Sequence, residues 1–216
     1  MRYKKSAISA RQIVDAAIRV LAQKGYARAS LNDIAQEAGM SKGALHYHFA
    51  TKEALIDAVL ETACTAVQQR TIAAWTTGAN PLEALHNSLV ELWGTRAKRT
   101  DEALVVADLL AQSLYNDRMR PRLAKYYDLA ARQLGDYLTE HLYSLGVRPR
   151  VPAEMLPRMV IGLLDGLVLQ SFVAPEVLDA DAVVRALETL ALSLFDLSPV
   201  HRDSGVVPSA EQAERA

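Results

Sequence analysis

The sequence predicts an all-α protein of about nine helices. Three observations carry this. Apolar residues recur at three- and four-residue spacing along most of the chain, and strand-like alternation appears nowhere. Half of the residues are apolar, while Gly and Pro are few, at 10 and 8 in 216. Ser, Thr, Asp or Pro stands at the start of most periodic stretches, where a helix needs its first amides capped.

Residues 1–8 read as a mobile basic arm. Ser9 opens the first helix, with Gln12 completing a capping box. Ile13, Ala17, Val20 and Leu21 follow helical spacing, and Lys24-Gly25 closes it. Ser30 caps a short second helix, with Asp33 three residues on and Ile34, Ala35 and Ala38 as its apolar face. Gly39 permits the sharp turn that follows. Ser41 caps a third helix whose Leu45 and Phe49, four apart, share the inner side. Lys42, Gly43, Ala44, His46, Tyr47 and His48 are left on its outer side. Thr51 caps a long fourth helix from Lys52 towards Trp75, with Leu55, Val59, Ala63, Ala66 and Val67 as its stripe.

The stretch 77–81 breaks this helix, and Pro81 sits in the first turn of a fifth, which runs through Leu85, Leu89, Leu92 and Trp93 to about Arg99. A sixth covers Asp101 to Tyr115. Asn116-Asp117 ends it, and a seventh runs from about Arg118 to Leu145. Gly146, Pro149 and Pro152 fill a link. The eighth reads from about Glu154 to Val173, and Asp179 or Asp181 starts a ninth with Val183, Val184, Leu187, Leu190, Ala191, Leu194 and Phe195 as its stripe. Residues 199–216 are polar and read as a disordered tail.

Composition excludes several classes. The most apolar stretch, Met155 to Ala174, is interrupted by Pro157, Arg158, Asp165 and Gln170, so no membrane span is expected. The basic N-terminus lacks a long apolar run, so no signal peptide is expected. Cys64 is the only cysteine. It cannot form an internal disulfide, which fits a reducing cytoplasm, and it reads as a small buried helix residue rather than a redox sensor. No nucleotide-binding Gly loop, metal-ligand spacing or nucleophile elbow is present, so neither an enzyme nor a cofactor is expected. His46 and His48, two apart, do not face one another and make a poor metal pair. The net charge of −1 hides an asymmetry. Residues 1–52 hold nine Lys/Arg against three Asp/Glu, and residues 53–216 hold fifteen against twenty-two. A basic head on an acidic body is the electrostatic footprint of a DNA-binding unit joined to one that avoids DNA.

A short helix with a buried face and a small, basic and aromatic outer face is what a DNA major groove accepts. Residues 9–55 resemble the DNA-binding domain of the tetracycline-repressor (TetR) family of bacterial transcription regulators. The resemblance rests on Gly25-Tyr26, on Leu31, Ile34, Ala35, Ala38 and Gly39, and on the run Ser41, Lys42, Gly43, Leu45, Tyr47, His48, Phe49, Lys52, Glu53 and Leu55. Beyond this quarter of the chain only length and helical pattern resemble the family. The resemblance implies a three-helix head with a helix-turn-helix (1–52), joined by the long helix to a helical ligand-binding and dimerisation body (53–198). It implies DNA contacts at Ser30, Asn32, Ser41, Lys42, Gly43, Ala44, His46, Tyr47, His48 and Lys52. Lys52, Ser30 and His48 suit phosphates, the first at a helix N-terminus. Lys42 suits guanine O6 and N7, Ala44 a thymine methyl, and Tyr47 either base or backbone. His46 stands where the family usually has a tyrosine. Both histidines also read as ordinary surface residues.

A two-helix reader is specific only as a dimer that spans two half-sites of an inverted repeat. Gly162 and Gly166 permit close approach of another helix, and Leu187, Leu190 and Leu194 give the ninth helix a stripe. Together they read as a four-helix homodimer interface, or as packing within one chain. The resemblance further implies a small-molecule effector in the body that weakens DNA binding. Trp75, Trp93, Tyr115, Tyr126 and Tyr137, with the polar Asp108, Gln112 and Asp165, read as pocket lining or as core. The acidic pair hints at a cationic or hydrogen-bonding effector, or else pairs with an arginine such as Arg158. The expected function is therefore a cytoplasmic, ligand-responsive repressor. A DNA-binding regulator with no effector and a small helical enzyme are the alternatives.

Overall fold

The computed structural model describes residues 2–141 and 147–196. Nine helices make up most of the described residues, as the sequence predicts. They are α1 (Arg2–Lys24), α2 (Leu31–Glu37), α3 (Lys42–His48), α4 (Lys52–Trp75), α5 (Pro81–Ala97), α6 (Asp101–Ser113), α7 (Arg120–His141), α8 (Leu156–Val173) and α9 (Ala180–Ser193).

The head is α1–α3 with the first turns of α4. Ile13, Ala17 and Leu21 of α1, Ile34 and Ala35 of α2, Leu45 of α3 and Leu55 of α4 are buried together. Gly25 (φ 73°) and Gly39 (φ 66°) take the left-handed backbone that the two tight exits from α1 and α2 require. Ser30 and Asp33 cap α2 reciprocally. The Asp33 amide donates to Ser30 Oγ (3.2 Å), and the Ser30 amide donates to Asp33 Oδ2 (2.9 Å).

The N-terminal arm is corrected. The helix runs back to Arg2, and Ser9 lies inside it rather than at its cap. Nothing between Arg2 and Ser9 breaks a helix, and Lys, Arg and Ala favour one.

In the body, α4 spans 24 residues, about 36 Å. It packs against α5 and α7, with α7 also on α8 and α5 also on α9. Asn80 caps α5, and Thr100 caps α6. α6 stops at Ser113, two residues early, because a turn follows in which the Met119 amide donates to the Asn116 carbonyl (2.9 Å). α7 accordingly begins at Arg120, with Pro121 in its first turn. Of the two expected starts for α9, Asp179 is the cap, accepting from the Ala182 amide (2.8 Å).

One feature lacks a sequence signal. Arg148–Pro149 (β1) pairs antiparallel with Phe195–Asp196 (β2), clipping the α7–α8 link to the end of α9. Two residues are too few for an alternation pattern to register. The expected tail at 199–216 lies outside the described residues.

A single buried cluster runs from Ile13 in the head through Val59 and Cys64 of α4 to Leu109, Leu123 and Tyr126 of the body. A second gathers Trp93, Leu164, Val168 and Leu187, and a third Tyr137, Leu138, Leu156 and Phe195. α8 is long and apolar enough to cross a membrane. In this fold one side of it packs into both of those body clusters.

Candidate nucleic-acid interface and body cavity

Leu45 is fully buried, and this fixes which side of α3 faces out. Lys42, Gly43, Ala44, His46 and Tyr47 are exposed, with Tyr47 80 % accessible. His48 is half-buried, its ring set edge-on to Tyr47 at 5.2 Å between centroids. Ser41 Oγ accepts from the Ala44 amide (3.2 Å), so the first turn of α3 is held open towards solvent. Ser30 and Asn32 lie exposed at the start of α2. Ser30 Oγ is engaged by its cap: it accepts from the Asp33 amide and donates to Asp33 Oδ2 (2.7 Å). Lys24 Nζ donates to the other oxygen of Asp33 (2.8 Å).

Lys52 departs from its expected place. Its ammonium turns inward, donating to the carbonyls of Tyr26 and of Ala29 (2.6 Å), and lies 4.0 Å from the centroid of the Tyr26 ring. Burial pushes its pKa down, opposed by the carboxylates of Glu53, Asp108 and Asp33. Burial raises the Tyr26 phenol likewise. The residue therefore stitches α4 to the loop after α1, and the exposed face of α3 is left without it.

Among the described residues, three cavities lie in a row between α4, α5, α7 and α8 of the body. They hold roughly 670, 560 and 760 Å3 of atom-free space, with the parts open to solvent included. The first lies beside α6, and Val67, Arg96 and Tyr126 divide it from the second. Thr71, Leu92, Leu134, Tyr137 and Leu164 divide the second from the third, which ends at Trp75, Leu156 and Phe195. Burial pushes the phenols of Tyr126 and Tyr137 up to about 12, with Arg96 and the Ser88 hydrogen bond respectively opposing. Burial likewise raises the Cys64 thiol to about 11, against the pull of Arg96. The thiol donates to Gln133 Oε1 (2.9 Å) at the second cavity's wall, which fits a small buried residue.

Of the eight residues expected at a pocket, Trp75, Tyr126, Tyr137 and Asp165 line these cavities. The other four do not. Trp93 is core, packed with Leu164 and Val184. Tyr115 lies past the end of α6 and is 93 % exposed. Asp108 points to the head, where Oδ2 accepts from the Tyr26 amide (2.6 Å), and Gln112 Nε2 reaches its other oxygen (3.5 Å). Asp165 pairs with Arg96, not Arg158: Arg96 Nη1 lies 2.6 Å from Oδ1, and Tyr127 donates to Oδ2 (2.9 Å). Arg158 is held by Asp128. Burial, then the Asp165 carboxylate, raises the Tyr127 phenol. Arg96 and Tyr127 escaped the sequence reading. The signal for Arg96 was present, since it stands three and four residues after Trp93 and Leu92, on the apolar side of α5.

The outer face of α8 carries Gly162 and Gly166. A β-carbon on either would meet nothing within 4 Å in the chain. Met159 and Leu163 of α8 and Leu190 of α9 are exposed around them. Leu187 departs from the expected surface stripe, because it is buried in the chain's own core. Leu194 is half-buried against Phe195's cluster. α9 is rotated so that Val183, Val184 and Leu187 face inward.

Helical head, exposed α3 face and a separate cavity-bearing body together define a helix-turn-helix DNA-binding regulator. Residues 13–59 match the family model of bacterial regulatory proteins of the tetR family, and residues 81–196 match the C-terminal domain of BetI-type transcriptional repressors. The second match covers more than half of the chain, and the chain belongs to the TetR family of bacterial transcriptional regulators. It is a sequence-specific DNA-binding regulator of transcription. The HTH-type transcriptional regulator BetI of Rhizobium meliloti is 26 % identical over 180 residues, covering 82 % of this chain and 84 % of that one. The A-factor receptor protein of Streptomyces griseus is 43 % identical over 58 residues, 27 % of this chain and 21 % of that one. FadR of Bacillus subtilis, solved in complex with stearoyl-CoA, shares the fold with a TM-score of 0.68 at 22 % identity, over 85 % of this chain and 97 % of that one.

Proposed function

We propose that this protein is a homodimeric repressor that reads an inverted repeat through α3 and is released when a small molecule enters the body cavities. The observation that carries the DNA half is the outward face of α3, presented by the complete burial of Leu45. Lys42 is the guanine reader, Ala44 the thymine-methyl contact, and Tyr47 and His46 reach the flanking bases or backbone. Gly43 lets the helix approach closely. Ser30, Asn32, Ser41 and His48 position the backbone. Lys52 supports this surface from behind through Tyr26 and Ala29.

The two-fold contact forms on the outer face of α8 and α9, from Gly162, Gly166 and Leu190. Exposed Met159 and Leu163 add apolar area, and Leu194 lies at its edge. Residues 1–52 form the head and 53–198 the effector and dimer body, with the division in the first turn of α4. The protein acts in the bacterial cytoplasm, where its DNA lies. FadR's stearoyl-CoA complex supports the effector reading, since it places a small molecule in a protein of this fold.

The test is a selection of bound sequences from random double-stranded DNA by the purified full chain at stated salt. An inverted repeat with half-sites one helical turn apart is expected. A single unrepeated site would sink the dimer, and no enriched sequence would sink the α3 assignment.

A further inference from the structure

We infer that the effector is an elongated apolar molecule bearing an uncharged carbonyl acceptor, held by Arg96 Nε, with its chain directed past Tyr137 towards Phe195. The inference rests on the effector reading above and deepens it.

Shape is the first ground. The three cavities share walls, so side-chain rotation at Leu92, Leu134 and Tyr137 joins the second to the third. Their linings follow α4 from Cys64 to Trp75, about 16 Å of helix. The far chamber is apolar, closed by Leu156, Val160 and Phe195. Burying chain there is favourable in proportion to its apolar area.

Charge is the second ground. Arg96 lies on the wall between the first two cavities, and its side chain is 14 % exposed. Nη1 is taken by Asp165, but Nε is buried and finds no hydrogen-bond partner among the described residues. A buried donor without an acceptor is costly, so a ligand oxygen that meets Nε as the Arg96 side chain turns towards the cavity gains that cost back. The charge of Arg96 is already matched by Asp165, whose second oxygen takes the Tyr127 hydroxyl. A carboxylate at Nε would set a second negative charge beside Asp165 on a cation already matched, with Arg70 of the first cavity exposed to solvent, and an ammonium ligand has no acceptor at Nε. A ketone, ester or amide oxygen satisfies the donor and adds no charge.

The experiment uses the full-length protein with 2-decanone, decanoate and decylamine as probes. Tryptophan fluorescence reads occupancy, since Trp75 lines the far chamber. 2-Decanone is expected to bind at least about tenfold more tightly than either charged probe, the factor that one buried hydrogen bond supplies. Across 2-heptanone, 2-octanone and 2-decanone, affinity is expected to rise about fourfold per methylene. Arg96→Lys keeps a cation for Asp165 but deletes Nε, and is expected to abolish the preference for 2-decanone over decane, a probe of the same carbon count with no acceptor. Equal binding of decanoate and 2-decanone overturns the uncharged-acceptor assignment, as does an unchanged preference in Arg96→Lys. A flat chain-length series overturns the chain's path. The wild-type series needs no variant, so a misfolded Arg96→Lys does not shelter the inference. Release of selected operator DNA is read separately. Ketone binding without release supports this ligand class and removes the effector role, whereas failure of all probes with DNA binding intact overturns the ligand class alone.

Discussion

Lys52 Nζ closes two carbonyls, of Tyr26 and Ala29, that would otherwise face the partly buried junction of α1, α2 and α4. Lys52→Met should therefore lower stability by about 1–2 kcal/mol in urea denaturation, part of the lost bonding being recovered by water. It should leave the salt slope of operator binding unchanged. A slope smaller by about one with stability intact would return Lys52 to the phosphate backbone. Asp33 titrates well below the usual carboxylate range, held there first by Lys24 and then by the hydroxyl and amide of Ser30. Its folded pKa lies below its unfolded one, so its contribution is complete at neutral pH and is lost as pH falls from the ordinary carboxylate range towards the folded value. Asp33→Asn should destabilise the head at neutral pH and flatten the acid limb of stability against pH. Parallel acid limbs for variant and wild type would show that Asp33 does not carry it.

At the scale of the element, α3 separates two jobs by face. Leu45 anchors it, while Tyr47 touches little and stands 80 % exposed. Tyr47→Ala should shift stability by no more than about 0.5 kcal/mol, as surface changes do, yet alter preference at one or two positions of the selected site. An unchanged preference at every position would remove Tyr47 as a reader. On α8 the reasoning runs through empty space. A side chain at Gly162 has room within its own chain, so Gly162→Leu should keep the monomer folded while blocking the close approach of a second α8. Sedimentation velocity should show monomer. A dimer of unchanged affinity would move the two-fold contact elsewhere.

Across the whole molecule, head and body are tied by one buried cluster and by a directed polar link. Asp108, from the middle of α6, accepts the Tyr26 amide at 2.6 Å, next to the left-handed Gly25. The first cavity is lined by Ala103, Val106 and Ala107 of the same helix. A ligand that moves α6 therefore moves the acceptor that holds the loop entering the head. Asp108→Ala should speed hydrogen exchange at the Tyr26 amide and cost about 1–3 kcal/mol for the unpaired donor. Protection equal to wild type would mean that the loop holds itself without α6.

Local chemistry was legible in the sequence wherever its physics is local. The caps Ser30, Ser41 and Thr51, the turn at Gly39 and the inward pair Leu45 and Phe49 depend on neighbours within four residues, so spacing alone determined these helix starts and the outer face of α3. The backward extension of α1 was missed because a capable cap at Ser9 does not end a helix whose preceding residues also favour one. What side chains meet across the bundle was decided only by tertiary structure. Asp108 and Asp165 look alike in sequence, each an acid among apolar residues, but α6 aims the first at the head and α8 aims the second at Arg96. Lys52 likewise found two carbonyls more than twenty residues away. A polar group in an apolar helix must be satisfied, and the sequence states that need; which partner meets it depends on the rotation and crossing of helices, which only the packed core sets.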